Sequence, residues 1–482
     1  MNLEEIEEKH ALISKKIEEL DFGRVYLQFM TEMPKKGHRW IQKFLIKHNY
    51  DLEDKEKKER IKFTYFFGKL LAGEEFYFVN TRNISETSIE VDFYASQSNL
   101  VLFSKMERRS TNDMDLEQLK ITFSTFNDID EDEVPLSCEE GIARLDKIFD
   151  ELKEKKIFSG NIGITKNDEL IFKRSLGEAD MRYHVPNNID TKFDLGSMNK
   201  IFTAVAILQL YEQKKLDLLD MVAKFLPDFP NGDKMSIHHL LTHTSGLGSF
   251  WNLNFEERFK RIRSIDDYMD LFIEDSLLFQ PGERFEYSNA GFIVLGKIIE
   301  VITGISYDEY VQKHIYDVAG MQNTYCYEID KNVPNLAMGY THDSDVNDFC
   351  LDQYINNFLI LPVKGSSAGG GYSTIDDLIS FAKALRKGEL ISERSVEIMQ
   401  EPIIVKGIEP LRSENYGYGC QTGIIGKHRF YGHGGGANGV ATMLMIFPDL
   451  DVIVAILTNW DPMYEIFAEK QVLNIVKRMT SS

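Results

Sequence analysis

Three short segments carry residue types suited to acyl transfer. In Phe193-Asp194-Leu195-Gly196-Ser197-Met198-Asn199-Lys200 a serine stands three residues before a lysine, at the head of the apolar run IFTAVAILQL. Helical spacing puts both side chains on one face. A lysine held out of water loses its proton more readily and can then take the serine's as the hydroxyl attacks a carbonyl. Ser197 is therefore a candidate nucleophile and Lys200 its base. The pattern alone also arises by chance, and then reads as a helix cap beside a solvated lysine. Tyr287-Ser288-Asn289 follows the turn Pro281-Gly282 and leads into an apolar helical run from Phe292. A phenol there can relay a proton to a leaving group, and the Asn289 amide can fix the lysine or a substrate amide. Tyr354-Ile355-Asn356 has the same form, so this spacing adds little by itself. The third segment is Tyr431-Gly432-His433-Gly434-Gly435-Gly436-Ala437-Asn438-Gly439, between strand patterns. Its glycines permit close backbone approach, and an edge strand with amides turned into a cleft can donate to an oxyanion. Its other reading is a loop that needs positive φ.

Two rival motifs fall away. Gly434, Gly436 and Gly439 fit G-x-G-x-x-G, but the strand-like ATMLMIF follows where a dinucleotide site needs a helix. His239 and His243 stand four apart, but Leu240 occupies the place of the glutamate in HExxH and no third ligand is apparent. Packed, hydrogen-bonded histidines are expected there. Neither a cofactor nor a metal is expected. Cys138, Cys326, Cys350 and Cys420 are scattered without a CxxC pair, which suits a reducing compartment.

The 482 residues must also supply a frame for these segments. A net charge of −21 argues against nucleic acid or anionic lipid as partner, and 43% apolar with 12% aromatic residues gives ample core material. The longest apolar runs, such as Ile201 to Leu210, fall short of a membrane span, and the charged N-terminus has no h-region, so a cytoplasmic protein is expected. Helical patterns cover Glu4 to Glu19, Trp40 to His48 and Glu53 to Leu71; alternating strands follow at Ser88 to Phe93 and Leu119 to Ser124. An acidic run, Asp128 to Glu133, ending in Val134-Pro135 reads as a linker. The expected division is therefore 1–135, a small α+β domain, and 136–482, a second domain that holds all three segments. Ser137 with Glu140 forms a capping box that opens the second domain's first helix, with Ile142, Leu145, Phe149 and Leu152 at helical spacing. Strands Gly160 to Lys166 and Glu169 to Arg174 join at Asn167-Asp168. Strands return at Gly423 to Ile425, Arg429 to Tyr431, Ala441 to Phe447 and Val452 to Leu457, and a helix at Met463 to Met479 closes the chain. A sheet built from both ends of this domain, with a helical insertion between, satisfies that order.

Taken together with FSGNIGITK, SIHHLLTHTSGL, FQPGERFEYSNAGFIVLGKIIE and SAGGGYSTIDDL, the three segments resemble the serine β-lactamase-like family over residues 138 to 480. That family includes class C β-lactamases, D-alanyl-D-alanine carboxypeptidases, β-lactamase-fold esterases and D-aminopeptidases. The resemblance implies an α/β fold, an antiparallel sheet flanked by helices with a helical lobe and the active site at their junction. It implies Ser197 as nucleophile, Lys200 as base or relay, Tyr287 as catalytic tyrosine, and Asn289, His433, Gly434, Gly435 and Gly436 as substrate-binding residues, with the amides of Ser197 and Gly436 as oxyanion hole. Gly434 departs from the family's usual hydroxyl residue, and His433 stands where its β-lactamases and peptidases usually have lysine, although histidine is usual in the esterase-like branches. Both changes weaken the case for carboxylate-bearing penicillins and peptides. Residues 65 to 126 resemble the cone-shaped domain of nuclear-transport-factor-like proteins. The expected activity is hydrolysis of a small ester, amide or D-amino-acid peptide through an acyl-enzyme. A retired binding module and a true β-lactamase or D-alanyl-D-alanine carboxypeptidase are the alternatives.

Overall fold

The computed structural model describes residues 3–36, 75–95, 100–108, 116–123, 136–251, 253–342, 354–401, 404–409, 412–425 and 427–478, with a few single residues between. The expected helix from Glu53 to Leu71, apart from Leu71 itself, and the acidic linker lie outside the described residues. The chain divides into two compact units, Met1–Leu136 with His342–Tyr354, and Ser137–Thr341 with Ile355–Ser482.

In the first unit, α1 (Leu3–Glu18) and α2 (Asp21–Lys36) precede β1 (Phe76–Ile84), β2 (Ser88–Ala95), β3 (Leu100–Arg108) and β4 (Leu116–Phe123). The strands form an antiparallel meander in chain order. Ile89, Val91 and Phe93 are fully buried, as their alternation with polar residues requires. Helix α2 was not anticipated, although Phe22, Tyr26, Phe29, Met30 and Met33 recur at helical spacing and are all buried.

The second unit opens with α3 (Cys138–Glu154), where the Ser137 hydroxyl accepts from the Glu140 amide and the Glu140 carboxylate accepts from the Ser137 amide. Strands β5 (Gly160–Lys166) and β6 (Glu169–Leu176) follow. Asn167 and Asp168 between them have φ of 52° and 63°, the left-handed pair of a two-residue hairpin that these residue types tolerate best. The middle of the unit supplies α4 (Asn199–Glu212), α5 (Asn289–Thr303) and α6 (Ile375–Arg386). Helix α4 is apolar all round, so it has no solvent face; Ile201 to Leu208 are buried on every side. The chain then forms β7 (Ile404–Glu409), β8 (Arg412–Tyr416), β9 (Gln421–Ile425), β10 (His428–Ala437), β11 (Val440–Phe447), β12 (Val452–Thr458) and α7 (Pro462–Val476).

One antiparallel sheet runs β7-β8-β9-β10-β11-β12-β5-β6. Its first and last strands in the chain meet where Val452 to Thr458 pair with Lys166 to Gly160, as the order of patterns implied. Both faces are covered. Ile453, Ala455 and Leu457 join the core around α4 and α6, and the alternate residues face the layer of α3 and α7. This accounts for β11 and β12 being apolar without alternation. Among the described residues no single helix is long and apolar enough to cross a membrane.

Candidate active site

The Ser197 segment is a single 3₁₀ turn, Gly196–Met198, feeding directly into α4. It is braced on two sides. The Leu195 amide donates to the Gly371 carbonyl at 2.7 Å, and the Gly370 amide to the Gly196 carbonyl at 3.1 Å. On the sheet side, Thr442 of β11 donates to the Leu195 carbonyl at 2.9 Å. The Asn199 and Thr203 side chains of α4 donate to the carbonyls of Ser366 and Ser367, at 3.0 and 2.7 Å, and so hold the loop 366–371 over the helix start.

Lys200 is wholly buried, and its Nζ lies 3.1 Å from Ser197 Oγ, 2.7 Å from Asn289 Oδ1 and 2.6 Å from the Ala368 carbonyl. Burial pushes its pKa well below the usual lysine value. A neutral amine has two N–H bonds and one lone pair. With both hydrogens given to the fixed carbonyl acceptors, the lone pair faces the serine hydroxyl. The Tyr287 phenol also hydrogen-bonds Ser197, and burial raises its pKa, which keeps it protonated. Its ring lies with its centroid 4.9 Å from the Lys200 ammonium position.

Tyr287 and Asn289 flank Ser288, the N-cap of α5. The Ser288 hydroxyl accepts from the Gly291 amide at 3.0 Å and donates to the Gly248 carbonyl at 2.8 Å, and its own amide donates to His243 Nδ1 at 3.0 Å. The His243 ring packs 4.2 Å from that of Tyr287. His239 closes a capping box with Ser236. His239 and His243 of the HHLLTH segment are thus packed and hydrogen-bonded, as expected.

The opposite wall is β10. Its residues His428 to Gly432 pair with β9, but His433 to Ala437 run past that strand and pair with β11 alone. The strand is interior at one end and an edge at the other, and the glycine segment is strand, not loop. Ala437 and Val440 close a two-residue hairpin and so form a hydrogen-bonded pair. By alternation, Gly436 and Gly434 point their amides away from β11. The Gly434 amide meets Gln421 Oε1 at 3.1 Å. The Gly436 nitrogen lies 2.9 Å from where a side chain on Gly196 would begin, beside the Ser197 turn. At Gly435 a Cβ would stand 1.9 Å from the Leu195 carbonyl oxygen, so only glycine lets strand and turn come this close.

A cleft of about 290 Å³ opens between these walls, lined by Ser197, Asn289 and Gly436 together with Asp194, Phe250, Trp251, Tyr268 and Leu361, among others. Its size suits a small molecule. His433 is not among the lining residues: it is 2% exposed, its Nδ1–H donates to the Gly434 carbonyl, and its Nε2 accepts from Tyr416 at 2.9 Å. Gly434 and Gly435 also lie outside the lining. Of the residues expected to bind substrate, Asn289 and Gly436 therefore face the cleft. Sequence reasoning missed the Ala368 carbonyl, since main-chain acceptors carry no sequence mark, and gave no role to Asp194, although both sit in segments quoted for the resemblance.

The Beta-lactamase family pattern matches residues 145–477, more than half of the chain. The chain belongs to the Beta-lactamase family. This Beta-lactamase family member is 30% identical over 324 residues to penicillin-binding protein 4* of Bacillus subtilis (strain 168), covering 65% of this chain and 71% of that one. It is 26% identical over 252 residues to the teichoic acid D-alanine hydrolase of Staphylococcus aureus, covering 52% of this chain and 59% of that protein, less than two thirds of its length. Among solved structures, the penicillin binding protein from Bacillus halodurans aligns with a TM-score of 0.61 at 31% identity, over 68% of this chain and 98% of that one. The D-amino acid amidase from Ochrobactrum anthropi SV3 aligns with the same TM-score at 21% identity, over 71% and 98%, a likeness of fold. The chain is a serine hydrolase of the β-lactamase fold.

Proposed function

We propose that Ser197 is the nucleophile of this hydrolase and that Lys200 and Tyr287 move its protons. Ser197 Oγ bonds to the substrate carbonyl carbon as its proton passes to Lys200 Nζ. The amides of Ser197 and Gly436 hold the resulting oxyanion. The bond to the leaving group then breaks, and that group takes a proton relayed through Lys200 and the Tyr287 phenol. Water attacks the acyl carbon as its proton passes to the pair, the bond from Ser197 Oγ to that carbon breaks, Oγ takes the proton back, and the acid is freed. The observation that carries this reading is the buried Lys200 amine, held by Asn289 and Ala368 with its remaining position toward Ser197.

The substrate is a small ester or amide without a carboxylate beside the scissile bond. The cleft has no lysine, arginine or histidine among its described lining residues, so an anionic substrate finds no counter-charge there. D-alanine, which the name of the Staphylococcus aureus relative contains, meets that requirement when its carboxyl is held as an ester. The test compares 4-nitrophenyl acetate and butyrate with nitrocefin. Higher kcat/KM on the esters is expected. Faster hydrolysis of nitrocefin than of every ester would replace this reading with that of a β-lactamase.

A further inference from the structure

Asp194 is the one charged side chain that the described residues bring to the cleft wall. It stands three residues before Ser197, at the end of the short strand Phe193–Asp194 that leads into the braced turn. Its Oδ1 accepts from the Gly196 amide at 2.7 Å, and among the described residues it meets neither lysine nor arginine. That amide hydrogen bond satisfies one of its two oxygens and leaves its charge uncompensated. A half-buried carboxylate without a cation is costly, and here burial pushes its pKa up to about 6 despite the Gly196 amide. The residues facing it from neighbouring elements do not relieve that cost. Tyr268, Tyr372 and Cys326 lie near enough to feel its charge, and burial raises the pKa of all three, so each stays neutral. The rest of the cleft is carbonyl, hydroxyl and amide groups or the apolar side chains Phe250, Trp251, Ile329, Ile360, Leu361 and Pro362.

We propose that Asp194 anchors a protonated amine on the acyl part of the substrate, so that the enzyme acts on α-amino-acyl esters or amides. The inference rests on the serine hydrolase reading and narrows its substrate class. An α-ammonium is one bond from the carbon next to the scissile carbonyl. A substrate whose carbonyl is held by Ser197 therefore has its ammonium within one residue's reach of that turn. The apolar residues are left for the acyl side chain. The same carboxylate repels a substrate carboxylate, in keeping with the absence of a cationic anchor.

The test pairs D-alanine ethyl ester with ethyl propionate, which differ by the amine, each rate being divided by the ester's own hydroxide-catalysed rate. Wild-type enzyme should favour the amino ester. Asp194→Asn keeps an acceptor for the Gly196 amide but removes the charge, and should lower the amino-to-propionyl ratio of kcat/KM by roughly 10- to 100-fold, the range for a hydrogen bond to a charged group. If Asp194 only positions the turn, that ratio will not change in a variant that fluorophosphonate still labels, and the proposal is overturned. If Asp194→Asn fails to fold or label, wild-type enzyme decides. Preference for the amino ester, together with inhibition by ethylammonium and none by ethanol at equal concentration, supports the anchor. Equal turnover of both esters sinks it and leaves the serine hydrolase reading intact. No turnover and no labelling of Ser197 would sink that reading, and this inference with it.

Discussion

The two walls of the cleft reach the reacting carbonyl by different means. On the side of α4 and α5 the chemistry is in side chains: Ser197, Lys200, Tyr287 and Asn289 converge from two helix starts through polar atoms buried and fixed in place. On the β10 side it is in the main chain, and at Gly435 a side chain is absent because there is no room for one. The first wall is therefore sensitive to the identity of each functional group. The second is sensitive to volume. Gly435 illustrates the point: it lies outside the cleft, yet it sets how closely Gly436 can approach Ser197.

Breaking the first wall gives the largest expected effects. Ser197→Ala should lower kcat on any ester by on the order of 10⁴-fold or more, with thermal unfolding little changed, since no other group supplies the covalent intermediate. Lys200→Arg should cost about 10²- to 10⁴-fold, because a guanidinium stays protonated and cannot act as base. The pH profile sharpens this assignment. Lys200 must be neutral to accept the serine proton, and burial lowers its pKa. Activity should accordingly rise with pH through a midpoint well below 10.5, the ordinary lysine value, and that limb should vanish in Lys200→Arg.

Crowding the second wall should act through packing. Gly435→Ala drives a methyl into the Leu195 carbonyl and should destabilise the fold by roughly 1–3 kcal/mol in urea titrations, with loss of activity as the strand withdraws from the turn. Gly434→Ala is the control. Its Cβ would stand 3.3 Å from the Thr442 carbonyl oxygen, a contact that a few tenths of an ångström relieve, and the cost should stay below about 1 kcal/mol. Equal sensitivity at the two glycines would mean that close approach at Gly435 is not what shapes this wall.

Much of the frame was legible because it depends on local chemistry. Asn167-Asp168 names a tight hairpin, Ser137 with Glu140 names a helix start, and the uninterrupted apolar runs of β11 and β12 name strands covered on both faces. The Ser197, Lys200 and Tyr287 set was legible through spacing and phrase. What stayed hidden depends on register and on main chain. The partner of His433 is Tyr416, two strands away in the sheet, and only the pairing of β8, β9 and β10 brings the two together. The Ala368 carbonyl that completes the lysine's surroundings belongs to a loop whose residue types do not announce it. Asp194 was passed over because its meaning lies in the absence of a cation around it, which only the folded cleft displays.

The most direct test of the central claim is peptide mass spectrometry of the full chain after reaction with a fluorophosphonate. The geometry predicts a single adduct on the peptide containing Ser197, lost in Ser197→Ala and slowed in Lys200→Arg. An adduct on any other residue, or labelling that persists in Ser197→Ala, would contradict the account.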